Sequence, residues 1–183
     1  MALKRSDIEK LATELLTSHD ISDESGTPPI PVERIAQACG IEVVRSAADW
    51  NQSGFLLRDT HRAIIGINSR NAAVRQRFTI AHELGHWQLH TLDQSNSLFV
   101  DQSVVIHNRD DLASAGTDAQ EIEANAFAAA LLMPKQIVRR EARNLLNAAP
   151  ATREEFISSL ARIFDVSAEA MSIRLSNLGI LRN

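Results

Sequence analysis

Two histidines four residues apart enclose a glutamate in His82-Glu83-Leu84-Gly85-His86, and further along stands Glu121-Ile122-Glu123-Ala124-Asn125. On a helix, positions i and i+4 share one face, so both imidazoles can reach a single cation. Glu83 falls roughly 100° from His82 and roughly 60° from His86 on a helical wheel. Its carboxylate would sit close to such an ion yet point past it, as a general base requires. A carboxylate from a second helix would complete a set of two nitrogens and one oxygen with one position open. That is the catalytic rather than the structural arrangement of Zn²⁺. Water at the open position would have its pKa lowered to about 7. Glu83 could take its proton during attack on a peptide carbonyl and pass it to the leaving amine. The chemistry implied is metal-assisted peptide hydrolysis.

The third ligand is read from the second segment. Glu121 and Asn125 are four apart on one face, beside Ala124 and Ala128, whose small side chains let another helix come close. Glu123 lies roughly 160° further round, with Phe127 and Ala130. Glu121 is therefore assigned as the ligand and Glu123 stands as the alternative. Asn125 becomes a residue that orients a ligand from behind. His90 continues the four-residue series, but two turns from His82 it is too far to share a tetrahedral ion, and packing is its expected role. His19, His61 and His107 have no evident partner and are read as structural. Two histidines and a glutamate also accept Mn²⁺, so the metal is not fixed by the donors alone.

These residues need helices to position them, and the rest of the chain predicts an α+β fold. Ser6-Asp7-Ile8-Glu9 reads as a capping box ahead of Ile8, Leu11, Ala12 and Leu15 at helical spacing. A loop follows over 22–29. Pro31 suits the first turn of a second helix carrying Val32, Ile35, Ala36 and Cys39, closed by Gly40. Ile41-Val43-Val44, Phe55-Leu56-Leu57 and Ile64-Ile65-Gly66-Ile67 are short apolar runs that predict a small, mainly antiparallel sheet, with a hairpin turn at Asp59 to Arg62. A long helix is expected from about Ser69 to Thr91. Val74, Phe78, Ala81, Gly85 and Leu89 fall on one flank of its histidine stripe and Ile80, Leu84 and Trp87 on the other, so this helix should be largely buried. Polar groups there are costly unless paired or bound to metal.

Residues 93–116 read as irregular, with a candidate strand at Val104 to Ile106. Thr117-Asp118-Ala119-Gln120 predicts a cap for the Ala-rich helix that bears Glu121 and runs to Met133. Pro134 ends it and opens a basic helix (Lys135, Arg139, Arg140, Arg143), read as a solvated face. Thr152 to Glu155 should cap a helix with Phe156, Leu160, Ile163 and Phe164. Asp165-Val166-Ser167 then turns into a last helix with Met171, Leu175 and Leu178, closed by Gly179. The division expected is a catalytic domain over 1–150 and a helix-turn-helix-like segment over 151–183 packed on it.

Composition limits the classes of partner. At 183 residues with 44% hydrophobic content the chain can bury an ordinary core, and a net charge of −4 gives no general attraction to nucleic acid. Residues 151–183 carry four arginines against four acids, too even a balance for strong phosphate binding, so direct DNA contact is not expected. The single cysteine, Cys39, excludes an internal disulfide and a four-cysteine zinc site. No apolar stretch follows Lys4 and Arg5, and none approaches a membrane span, so a cytoplasmic protein is expected.

The motif His82-Glu83-Leu84-Gly85-His86, the preceding Arg77-Phe78-Thr79-Ile80-Ala81 and the run from Glu121 through Leu131-Leu132-Met133-Pro134 resemble the ImmA/IrrE family of metallopeptidases, over roughly residues 30–180. The resemblance implies a compact zincin-like domain of the gluzincin type, with His82, His86 and Glu121 matching the metal ligands and Glu83 the catalytic base. It also implies a protein substrate, a helix-turn-helix repressor, whose cleavage releases genes of a mobile element or a stress response. The competing reading is a non-hydrolytic regulator that binds DNA or a repressor through its C-terminal helices, with zinc only structural. A third is a phage or toxin–antitoxin module in which the fold serves for docking.

Overall fold

The computed structural model of the chain describes residues 3–18, 27–47, 53–58, 62–90, 97–100, 115–147 and 152–181. Helical spacing of apolar residues sets the first two elements, α1 (Arg5–Ser18) and α2 (Val32–Ala38), which bury Ile8, Ala12, Leu15 and Leu16 and Val32, Ile35 and Ala36. α1 begins one residue before Ser6, so that serine sits inside the first turn rather than capping it. Glu9 does not close a capping box either, because its carboxylate is engaged by Arg174 from the far end of the chain. Pro31 occupies the N-cap of α2, and Gly40, at φ +74, ends it in a left-handed conformation that a side chain would disfavour.

Three strands follow as the apolar runs require: β1 (Ile41–Ser46), β2 (Gly54–Arg58) and β3 (Ala63–Asn68). β3 is buried along nearly its whole length, whereas β1 is mostly open to solvent, as suits a central and an edge strand. A fourth strand, β4 (Ser97–Val100), lies in the stretch expected to be irregular, and it pairs antiparallel with β2 (Phe55 opposite Val100). The sheet order is β1-β3-β2-β4. Two of its three pairings are antiparallel, and β1 runs parallel to β3. Most of the expected hairpin turn at 59–62, and the candidate strand at 104–106, lie outside the described residues.

The helix α3 (Ala73–His90) lies against β2 and β3 on one side and against α4 (Ala115–Leu132) on the other. Covered on both flanks, it buries every residue from Thr79 to His86. α4 starts two residues ahead of the predicted cap at Thr117. Pro134 separates it from α5 (Lys135–Asn147), which exposes Lys135, Arg139 and Arg143.

α6 (Arg153–Phe164) and α7 (Ala168–Asn177) start as the sequence predicts. Thr152 Oγ1 accepts from the Glu155 N–H and Ser167 Oγ from the Ala170 N–H, while Asp165 makes the turn between them at φ 52. Phe156, Leu160, Phe164, Met171 and Leu175 join the core that holds Ile8, Ala12 and Phe127. Arg174, also buried, donates to the Met133 carbonyl (2.9 Å) and to both carboxylate oxygens of Glu9. Arg77 ties α3 to the same region through the Asp165 and Ile30 carbonyls. No helix among the described residues is long and apolar enough to cross a membrane.

Candidate metal centre

Close helix contact builds the site. At Gly85 an added Cβ would lie 2.9 Å from Ala124 Cα and 3.0 Å from its carbonyl oxygen, so the backbones of α3 and α4 touch where a side chain would hold them apart. This contact lets short side chains from the two helices meet. His82 and His86, one turn apart on α3, bring their Nε2 atoms to 3.1 Å. Glu121, from α4, sets one oxygen 3.2 Å from His82 Nε2 and the other 3.2 Å from His86 Nε2. The three residues form a group whose ligand atoms all lie within 4.8 Å of one another.

These separations can be compared with what a metal needs. Bond lengths of 2.0–2.2 Å in a tetrahedron place neighbouring ligand atoms about 3.3–3.6 Å apart, so the donor set and its spacing, a few tenths of an ångström tighter without an ion, fit one divalent ion. His82 and His86 are 3% and 2% exposed, and Glu83 is fully buried beside them. Asn125 Oδ1 lies 3.1 Å from His82 Nδ1, where it accepts the Nδ1–H and leaves Nε2 facing the group. Phe78 stacks on the same ring, with centroids 6.5 Å apart and planes 30° apart. Burial alone would raise the Glu121 pKa, but in the metal-free protein its hydrogen-bonding and charge interactions with His82 and His86, when those rings are protonated, outweigh it and hold the carboxyl at about 2. The group is therefore anionic across the physiological range.

Glu123 and His90 stand apart from this cluster. Glu123 accepts the Leu3 N–H at 2.6 Å and lies 3.8 Å from His90 Nε2. His90 packs on the His86 ring and meets the Gln120 carbonyl at 3.2 Å. Burial and the adjacent His86 push its pKa below the usual histidine value, against the pull of Gln120, Glu123 and Glu121. His19, His61 and His107 lie outside the described residues. The residues not anticipated from the sequence are the buried Arg174 and the exposed Ile122 and Ile173. Arg174 did carry a signal, an arginine at helical spacing within the apolar stripe of Met171, Leu175 and Leu178.

The family described as the IrrE N-terminal-like domain, a peptidase family, matches residues 36–176. The chain belongs to it. Membership of this metallopeptidase family accounts for a His–His–Glu cluster suited to a divalent ion. Among similar proteins, an immunity region protein of Bacillus phage phi105 is 34% identical over 85 residues, covering 46% of this chain and 47% of that protein. The radiation response metalloprotease IrrE of Deinococcus radiodurans is 30% identical over 140 residues, covering 72% of this chain and 35% of that one. The chain thus spans less than half the length of either relative. A solved Mycobacterium tuberculosis transcriptional regulator shares the fold at a TM-score of 0.62 and 22% identity, over 93% of this chain and 46% of its own.

Proposed function

We propose that the chain is a zinc-dependent endopeptidase of narrow specificity that cleaves a helix-turn-helix transcriptional repressor and so releases gene expression. One observation carries the reading: the convergence of His82, His86 and Glu121 with Glu83 buried alongside. His82, His86 and Glu121 hold the ion, and Asn125 fixes the His82 ring. Zinc, when bound, supplies an acidified water and polarises the substrate carbonyl; Mn²⁺ suits the same donors. Glu83 takes a proton from the attacking water as the new C–O bond forms. It returns that proton to the amide nitrogen as the C–N bond breaks.

A protein substrate fits the sheet. Among the described residues β4 is the edge strand next to β2, and an extended polypeptide added there would align its scissile bond by main-chain pairing. The phage relative's name places it in an immunity region, which supports a repressor as the target. In this reading residues 1–150 are the peptidase unit and 151–183 a helix-turn-helix-like segment packed on it. Direct DNA binding has little support, because Arg174 is taken from any phosphate-facing surface by its pairing with Glu9.

The test is incubation of the zinc-loaded protein with helix-turn-helix repressors of the host genome, any encoded beside its gene first, with Glu83→Gln as control. The wild type should produce two fragments and the variant none at equal zinc content. Repressors that all stay intact after incubation with the zinc-loaded wild type would overturn the proposal. Full cleavage by Glu83→Gln would remove Glu83 from the mechanism.

A further inference from the structure

A cavity of about 660 Å³ opens between α1, α3, α4 and α7, a size in the range of roughly 300–1,000 Å³ typical of ligand sites. His82 and Asn125, the hydrogen-bonded pair behind the metal-binding group, form part of its wall. Most of the remaining surface is apolar, from Phe78 on α3, Ile122, Ala129 and Met133 on α4, and Ala170 and Ile173 on α7. Ile122 is 68% exposed and Ile173 is 56% exposed, one on each of two helices that border the same space. Large apolar side chains left open beside a reactive centre mark a surface meant to be covered.

Three of the polar residues that border the cavity are engaged within the chain, while Arg5 and Asn177 also line it. Arg75 donates to Ser53 Oγ, Glu123 accepts from the Leu3 N–H, and Arg174 is bound to Glu9 and to the Met133 carbonyl. The surface left for a ligand to touch is chiefly apolar. His82 belongs both to this wall and to the candidate ligand set, so an occupant that touches its ring lies next to the metal-binding group.

We propose that this groove is the specificity site of the peptidase, occupied by a bulky apolar side chain of the substrate polypeptide next to the bond that is cut. The inference rests on the peptidase reading. It makes Ile173, and with it α7, part of substrate selection, so the C-terminal segment serves as a wall of the binding site.

Two measurements separate this inference from the peptidase reading. In the first, zinc-loaded full-length protein is given internally quenched peptides that differ at one position, carrying Leu, Phe, Ala or Asp. Leu or Phe should exceed Asp in kcat/KM by about tenfold or more, the discrimination an apolar pocket supplies. Ile173→Asp, at an exposed position that need not disturb folding, should abolish that preference. In the second, zinc-loaded Glu83→Gln is used to capture the same peptides without cutting them. Capture of the Leu and Phe peptides, lost in the Ile173→Asp double variant, upholds the groove even if the wild type cleaves nothing. Cleavage without apolar preference, or no capture of any peptide, overturns it. Wild-type self-association that Ile173→Asp removes would also overturn it, in favour of a second copy as the occupant.

Discussion

Asn125 Oδ1 sits 3.1 Å from His82 Nδ1, behind the imidazole whose Nε2 faces Glu121. A histidine ring presents one lone pair, and the group that accepts its other N–H decides which nitrogen that is. Asn125→Ala should therefore weaken zinc affinity by about tenfold to a hundredfold, the usual effect of removing such a partner. Asn125→Asp keeps an acceptor and should stay near the wild type. Competition with a chromophoric chelator measures both. Equal affinity in wild type and Asn125→Ala would deny Asn125 this role.

The backbone contact at Gly85 has a cost that can be measured. A methyl there would meet Ala124 Cα and its carbonyl oxygen, neither of which can rotate away. Gly85→Ala should force α3 and α4 apart and destabilise the protein by about 1–3 kcal/mol. At about 2–4 °C per kcal/mol for a protein of this size, the melting temperature should drop by several degrees. Zinc affinity should fall with it, because Glu121 rides on α4. An unchanged melting temperature would show that the helices yield at no cost.

How much of this was legible in the sequence depends on the range of each interaction. His82, Glu83 and His86 could be read because helical periodicity places them regardless of what surrounds them. Glu121 was separable from Glu123 for the same reason, and the two now stand on different partners, the His82–His86 pair and Leu3 with His90. β4 was not legible. Four residues between polar runs carry no period of their own, and their order comes from pairing with β2, some forty residues earlier.

Helix starts were the other weak point. Ser6 and Thr117 have the right type for caps, yet both helices begin ahead of them. At α1 the competing demand is visible, since Glu9 pairs with Arg174, 165 residues away. The arginine itself looked like one of four balancing surface charges. Only tertiary packing reveals it as a buried strut. By contrast the cap at Thr152 formed as read, and Ser167, in the stretch read as a turn, caps the last helix.

Acid should separate wild type from Glu121→Gln in the metal-free protein. The Glu121 pKa stands at about 2, below the ordinary value of 4.5, so the folded state favours its ionised form. The stability this gives is full above the unfolded-state value and is lost as pH falls through the folded one. The melting-temperature difference between wild type and Glu121→Gln should therefore shrink as pH falls from about 4.5 towards 2. A difference that stays level across that window would mean that His82 and His86 do not stabilise the carboxylate.

The strongest test of how the C-terminal helices attach lies in Arg174 and Glu9. Arg174 is 3% exposed and fastens α7 to α1 through the Glu9 carboxylate and to the end of α4 through the Met133 carbonyl. Replacing it by Met keeps the length and removes the charge. The Glu9 carboxylate and the Met133 carbonyl then lose their donor, a loss of about 3 kcal/mol by analogy with broken buried pairs. The melting temperature should fall by about 10 °C. Adding Glu9→Gln to Arg174→Met should cost less than the sum of the single changes, because the carboxylate left without its partner is removed with it. Additive losses would show that the two side chains do not act as a pair. Amide exchange should also quicken across residues 168–177 in Arg174→Met while α3 keeps its protection, since α7 is held by this contact and α3 is not. Exchange that quickens equally in both helices would instead make α7 part of one cooperative unit with the metal-bearing core.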